Sequence, residues 1–516
     1  MIKHMKTAVF VTFVGMLGFL ASVAASEDAW LIRATEDTGE EPPKTIESAE
    51  TRGGAAAPVQ LMRQSERKKP PEPDYLVGKV IWGEAATFTD PSGGEMEVDD
   101  WNLVPGDVSN LIDVGRSVGQ DYHWSNIHLD EFSFDPDKMP VLFISGVRTL
   151  RISDGHKANL RQYVQDGGMV ILDSVYGSPH FTESARETFR EIFPGRQFRD
   201  LPSDHPIFET YYEVESVNYP EQVDRDEPYL EGMYIGARVG VLLSPYGMGT
   251  GLAEEQDVFD ELRERGLEPK YMDSQSAQRL ATNFVGYSVG YAEVGEVQGE
   301  AEQYGEADRD AATDEFVFAQ IRHEGAWDAH PGAANALLRR LRQTSAINVH
   351  LRRQAVDLAE DDLSPYTFLY LTGLDTFEFS SEEREALRDF VENDGFLVVN
   401  NGLGLSRFHQ AATRELRNIF PDSRLESLSP DHEIFHIMAP AYQVNYTSVI
   451  RRNEPELGNT PMLMGMEHEG ELAVVYSPYD LEGGWLNVED IPLMRGYENQ
   501  SAQHLGMNLI AYSMLR

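Results

Sequence analysis

Two short stretches carry side chains suited to chemistry. In Asp173-Ser174-Val175-Tyr176-Gly177 a serine follows the apolar run Met169 to Leu172, so it stands at a strand-to-helix turn. A serine placed there becomes a nucleophile when a neighbouring base takes its proton and N–H donors receive the developing oxyanion. The candidate base is His205, preceded by Asp204, because a histidine beside a carboxylate can serve as a general base or a metal ligand. Ser174, His205 and Asp173 would then form the site of a hydrolase acting on carbohydrate or ester substrates. The competing reading is structural. The turn is not G-x-S-x-G, and Asp173 is equally suited to capping the backbone of a turn.

Both stretches have a counterpart further along, at Asn400-Asn401 and Asp431-His432. Asn401 offers no nucleophile, so a catalytic site would belong to the first copy alone. His436 follows His432 by one helical turn, but the first copy has Glu209 there, so no ligand set is complete in both and no metal is expected. Ligands of helix-covered parallel sheets bind beyond the carboxyl ends of the strands. That rule makes Asp173, Ser174, His205, Asn400, Asn401 and His432 the candidate ligand-binding residues. The turns Ser244 to Tyr246 and Ser477 to Tyr479, with Trp82, Trp101, Trp124, Trp327 and Trp485, could line a carbohydrate or peptide surface; scattered aromatics more often belong to the core. Phosphate loops, dinucleotide-binding glycine patterns, zincin pairs and calcium loops are missing, and no cofactor is expected.

The elements that must position these residues are duplicated. Gly146 pairs with Gly373, Pro194 with Pro421, His205 with His432 and Phe208 with Phe435, each 227 residues apart, so no gap interrupts the block. Repeats of this kind set the architecture. In each copy a short apolar strand, Leu142 to Ile144 or Phe368 to Leu371, runs to a glycine. Ser153 and Ser380 are helix N-caps, and Ser380 with Glu383 makes a capping box. Leu160, Tyr163 and Val164 match Leu387, Phe390 and Val391 as the stripe of a helix ended by Gly168 or Gly395. The apolar runs Met169 to Leu172 and Phe396 to Val399 read as strands covered on both faces. A second helix stops at Pro194 or Pro421. Alternating strands and helices imply crossover connections, hence an α/β fold with mainly parallel sheets.

Residues 1–26 read as a signal peptide: Lys3 and Lys6, an apolar core from Ala8 to Leu20, then small residues from Ser22 to Ala25. The apolar core is short for a spanning helix, and no other long apolar run follows. The expectation is export to the periplasm or the extracellular space, with no membrane span after cleavage. Residues 27–74, acidic and then rich in Ala and Pro, are expected to be a disordered tether. The first α/β repeat domain occupies 75–292, an acidic linker 293–314 and the second repeat domain 315–516. A composition that is 41% hydrophobic makes the repeats globular. The net charge of −43 argues against nucleic-acid partners, which demand clustered Lys and Arg, and against anionic membrane surfaces. The chain has no cysteine, which removes disulfides, thiolate metal sites and cysteine nucleophiles.

FLYLTG, SSEEREALRDFVENDGFLVVNNG, the Phe-Pro after the second helix, PDHEIF, VVYSPYDLEGGW and HLGMNLIAYSM resemble a bacterial family of uncharacterised domains. That family is known for standing beside, or fused to, aerotolerance-type membrane proteins. The first repeat is similar more loosely, through FTDP, NLI, SDHPIF and VLLSPYGMG. The family looks like a relative of class I glutamine amidotransferase-like and trehalose-utilisation-like domains, which implies two tandem flavodoxin-like domains. Amidotransferase relatives carry a cysteine at the elbow; this chain has Ser174 and Asn401, so that activity is excluded. The expected function is an exported, non-catalytic binding or assembly module with an unidentified protein, small-molecule or glycan partner. The hydrolase with its site in the first repeat is the alternative.

Overall fold

The computed structural model describes residues 26–32, 77–89, 95–117, 123–220, 223–253, 256–303, 315–486, 488 and 491–515. Residues 1–25 of the expected signal peptide, 33–74 of the expected tether and 304–314 of the expected linker lie outside them.

The first repeat runs β1 (Val77–Ile81), the hairpin β2 (Ala86–Thr89) and β3 (Glu95–Val98), α1 (Asp107–Ser117), β4 (Trp124–His128), β5 (Val141–Gly146) and α2 (Asp154–Gln165). It continues with β6 (Met169–Ser174), α3 (Pro179–Ile192), β7 (Arg199–Asp200), β8 (Glu231–Ile235), β9 (Arg238–Ser244), α4 (Met248–Ala253), α5 (Gln256–Glu264) and α6 (Ser274–Gly290). Helix α7 (Ala292–Gln303) leads out of it. The second repeat runs β10 (Ala319–Ile321), α8 (Ala333–Thr344), β11 (Gln354–Val356), β12 (Phe368–Gly373), α9 (Ser381–Glu392) and β13 (Phe396–Asn401). Then come α10 (Ser406–Ile419), β14 (Glu426–Ser427), α11 (Ser448–Asn453), β15 (Met464–His468), β16 (Glu471–Ser477) and α12 (Asn499–Leu515). Within the duplicated block, β12, α9, β13, α10 and β14 begin and end 227 residues after β5, α2, β6, α3 and β7.

Each repeat builds a seven-stranded sheet, in the orders β4-β1-β5-β6-β9-β8-β7 and β11-β10-β12-β13-β16-β15-β14. The first five strands of each sheet pair in parallel and the last two antiparallel. Numbered along the chain, the parallel strands lie in the order 2-1-3-4-5, the flavodoxin-like winding, with its switch point between β1 and β5 or between β10 and β12. The central strands are buried on both faces, as their continuous apolar runs require. Leu142, Ile144, Val170 and Leu172 face α2 and α3, whereas Val141, Phe143, Met169 and Ile171 face the opposite layer. Ser380 and Glu383 form the capping box at the start of α9. Gly168 is needed for a different reason than helix termination: a Cβ there would lie 2.4 Å from the Tyr163 ring. The left-handed residue of that turn is Gly167, at φ +108.

The layers on the other faces merge. One apolar cluster contains Leu280, Phe284 and Val294 of the first repeat and α7 together with Ala333, Leu337, Ile491 and Leu505 of the second. Helix α7 corrects the expectation of a solvated linker from 293 onward. Val294 is fully buried and Gln298, one turn on, is 2% exposed, while Glu293 and Glu296 face outward. Over this first part of the helix the acidic residues Glu293 and Glu296 lie on the outer face, opposite Val294 and Gln298.

A second correction concerns the tether. Residues Glu27–Trp30 form a 3-10 turn, and Trp30, Leu31 and Ile32 are buried against Val147, Tyr176, Phe259 and Leu262. Glu27 accepts hydrogen bonds from the Thr149 N–H (2.9 Å) and hydroxyl (2.7 Å), just past the carboxyl end of β5. The Tyr176 hydroxyl donates to the Ile32 carbonyl at 2.9 Å. This short segment belongs to the first repeat because Trp-Leu-Ile supplies apolar surface that the acidic residues around it do not.

Candidate functional site

At the carboxyl ends of the first sheet the polar residues are shut in. Asp173 and Ser174 end β6 and are fully buried. Asp173 Oδ1 and Oδ2 accept the N–H groups of Met248 (2.8 Å) and Gly249 (3.1 Å), which ties β6 to α4. Burial pushes the Asp173 pKa up to about 7, although those two N–H donors pull it down. Ser174 Oγ donates to the Ser178 carbonyl (2.8 Å) and accepts from Thr182 Oγ1 (2.9 Å). Beside them Lys79 Nζ reaches Asp107 Oδ1 at 2.6 Å and the Asn102 amide oxygen at 3.0 Å. Burial pushes Asp107 upward against the pull of Lys79.

In the second sheet the acid has moved. Asn400 stands where the first repeat has Asp173, and Asp480 follows the Ser-Pro-Tyr turn where the first repeat has Gly247. Asn400 donates to Asp480 Oδ1 (3.0 Å) and Thr372 Oγ1 (3.1 Å), and accepts the Leu481 N–H (2.9 Å). Asn401 donates to the Pro478 carbonyl at 3.1 Å. Asp480 also accepts the N–H groups of Leu403 and Glu482, and its Oδ2 lies 2.7 Å from His330 Nε2. Burial opposes charge on both partners, but their mutual attraction and hydrogen bond win, so His330 is held up and Asp480 down. When the His330 ring is neutral, Gln298 of α7 selects its tautomer. Its Oε1 accepts the Ala237 N–H, so its amide NH2 faces His330 Nδ1 at 3.3 Å and leaves the ring proton on Nε2 toward Asp480. Next to this pair is Glu482, fully buried, with neither oxygen hydrogen-bonded among the described residues. Burial pushes its pKa up to about 8, against the pull of His330.

The Asp-His pairs act as local caps. His205 Nδ1 accepts the Ile207 N–H and His432 Nδ1 the Ile434 N–H, both at 3.2 Å, each opening a 3-10 turn. His205 is fully buried between the Tyr234 and Tyr287 rings, and burial lowers its pKa to about 3. Among the described residues it shares no hydrogen-bond or ring neighbour with Ser174. The structure therefore brings Asp173 and Ser174 together, and Asn400 and Asn401 together, but brings neither histidine to them.

The two copies of this loop differ in their surroundings. Asp204 Oδ2 accepts the N–H of Ser406 at 2.8 Å, capping the N-terminus of α10 across the joint between the repeats. Arg199 and Arg407 both approach the buried Asp375, at 3.8 and 3.7 Å, and Arg407 also bonds the Asp200 carbonyl. Asp431, the counterpart of Asp204, is exposed.

Beside this joint lies an open polar groove of about 760 Å³. One wall is the chain from Pro194 to Arg199 with Tyr234 of β8; the other is the chain leaving β10 and β11, with Glu383 from the first turn of α9. The groove thus sits at the carboxyl ends of the second sheet next to its switch point, where α/β sheets bind ligands. Trp327 is half-buried on its floor, with the Arg322 and Arg353 guanidinium carbons 5.8 and 5.0 Å from the ring centroid. His323 donates from Nε2 to the Thr372 carbonyl and accepts the Gly325 N–H at Nδ1, so it is neutral. Tyr234 is 4% exposed, and its hydroxyl has no partner among the described residues.

The family model described as Domain of unknown function (DUF4159) matches residues 95–289 and again 317–514, about three quarters of the chain. The chain belongs to this family. The second DUF4159 match spans all seven strands of its sheet, and the first spans six of the seven, beginning after β1. None of the curated proteins matches the chain.

Sequence reasoning passed over Asp480, Glu482 and His330 of the second DUF4159 domain, and Arg322 and Tyr234 of the groove. A signal existed for the first two: the turns read SPYGMG in one copy and SPYDLEG in the other, so a pair of acids appears where the first copy has glycines. Among the described residues no group of three or more His, Asp and Glu could hold a metal ion.

Proposed function

We propose that the chain is an exported, non-catalytic binding or assembly module that engages its partner at the groove between its two DUF4159 domains. The observation that carries this reading is a contrast. The strand-end polar groups are sealed in, most of them bonded to backbone or to one another, whereas the groove is open, polar and walled by both domains. A serine nucleophile needs its hydroxyl aimed at a base; Ser174 spends its proton on a carbonyl of its own turn. Export is supported by the leader-like residues 1–26, and no helix among the described residues is long and apolar enough to cross a membrane. The resemblance to domains that accompany aerotolerance-type membrane proteins supports a partner held at the outer face of a membrane.

Turnover tests the reading. The full chain is offered chromogenic esters and glycosides, and hydrolysis at the solvent background is expected. Hydrolysis that disappears in Ser174→Ala, with the fold intact by circular dichroism, overturns it.

A further inference from the structure

We infer that the groove between the repeats is a saccharide site, taking a neutral, hydroxyl-rich ligand across the Trp327 face. This rests on the binding-module reading and names the ligand class of the same site.

The volume of about 760 Å³ lies within the range of small-molecule sites. The walls are polar but nearly balanced in charge: Arg196, Arg199 and Arg322 stand against Glu324, Asp328, Asp357 and Glu383. A phosphate-bearing ligand would meet four carboxylates, and a polycation three guanidiniums. An apolar ligand would strip water from all of them without replacing their hydrogen bonds. Hydroxyl groups both donate and accept, so a sugar can satisfy either wall.

Two further features favour a sugar. Trp327 presents a half-buried indole steadied by the Arg322 and Arg353 guanidiniums, 5.8 and 5.0 Å from its centroid, an aromatic surface for the C–H face of a pyranose ring. Arg353 is itself fixed by Asp328 at 2.6 Å and by the Gln320 side-chain oxygen at 2.7 Å, so the platform is rigid before any ligand arrives. On the opposite wall the Tyr234 hydroxyl lacks a partner among the described residues, so the polar groups on that side are not all satisfied by the protein itself.

The experiment is isothermal titration of the full chain with maltohexaose, cellohexaose and N-acetylchitohexaose, alongside inorganic phosphate and an acidic and a basic hexapeptide. At least one saccharide should bind, and both Trp327→Ala and Glu324→Gln should weaken it by about tenfold or more, the loss expected for a packed ring or a hydrogen bond to a charged group. Glu324 is exposed, so its variant keeps the test valid if Trp327→Ala fails to fold. Saccharide binding unchanged in both variants overturns the assignment to the groove. Phosphate or peptide binding that the variants weaken, with no saccharide bound, overturns the ligand class and leaves the groove as a binding site. Failure of every probe overturns the saccharide inference, while the binding-module reading stands or falls on the turnover test above.

Discussion

Replacing Glu482 with glutamine should make the fold less sensitive to rising pH. Glu482 is fully buried without a hydrogen-bond partner among the described residues, and burial pushes its pKa up to about 8 from an ordinary 4.5. The folded chain therefore holds this proton more tightly than the unfolded chain. The sign follows: stability is fully present below about pH 4.5 and is lost as pH rises through about 8. At ~1.36 kcal/mol per pKa unit, the whole window corresponds to roughly 5 kcal/mol, with a slope no steeper than ~1.4 kcal/mol per pH unit. Asp173, pushed up to about 7, adds a slope of the same sign in the other repeat, and that part remains in the variant. Urea unfolding of the full chain, followed by fluorescence, should give similar stabilities for the natural protein and Glu482→Gln near about pH 5. Near about pH 8 the variant should be the more stable by several kcal/mol. Parallel pH profiles for the two proteins would refute the reasoning, because they would mean that Glu482 ionises in the folded state as it does in water.

Other consequences are more local. Asp204→Ala removes the cap of α10 across the joint and should cost about 1–2 kcal/mol, read as faster proteolysis between the repeats. Asp431→Ala, the same change in an exposed loop, should stay within about 0.5 kcal/mol of the natural protein. Trp30→Ala empties a buried indole site and should cost roughly 3–5 kcal/mol, with early protease cleavage near residue 32 as its signature.

The duplicated block was legible because its signals are local. Helix stripes such as Leu160, Tyr163 and Val164, the capping box at Ser380, and two-faced apolar strands depend on neighbours in sequence, and these elements appear at a constant spacing of 227 residues. The parallel sheet followed from their alternation. The site was less legible. Ser174 reads as a nucleophile from its position at a strand end, but whether a hydroxyl is free or spent on Ser178 depends on how the following turn closes. The groove joins Arg196 to Arg322, residues more than one hundred positions apart that meet only when the repeats dock. Composition misled where few residues do the packing: Trp30 to Ile32 and Val294 with Gln298 sit within acidic stretches whose average hides them.

The central claim is that the chain binds through the groove between its repeats and not through the sealed strand ends. It is tested most directly by comparing two variants for binding of the saccharide retained by the natural protein. Gln197→Trp fills the groove from an exposed position, and Ser174→Ala alters the sealed turn at a cost of about 1 kcal/mol. The account predicts that Gln197→Trp abolishes binding while Ser174→Ala leaves it unchanged; binding kept by the first and lost in the second, with both proteins folded, would contradict it.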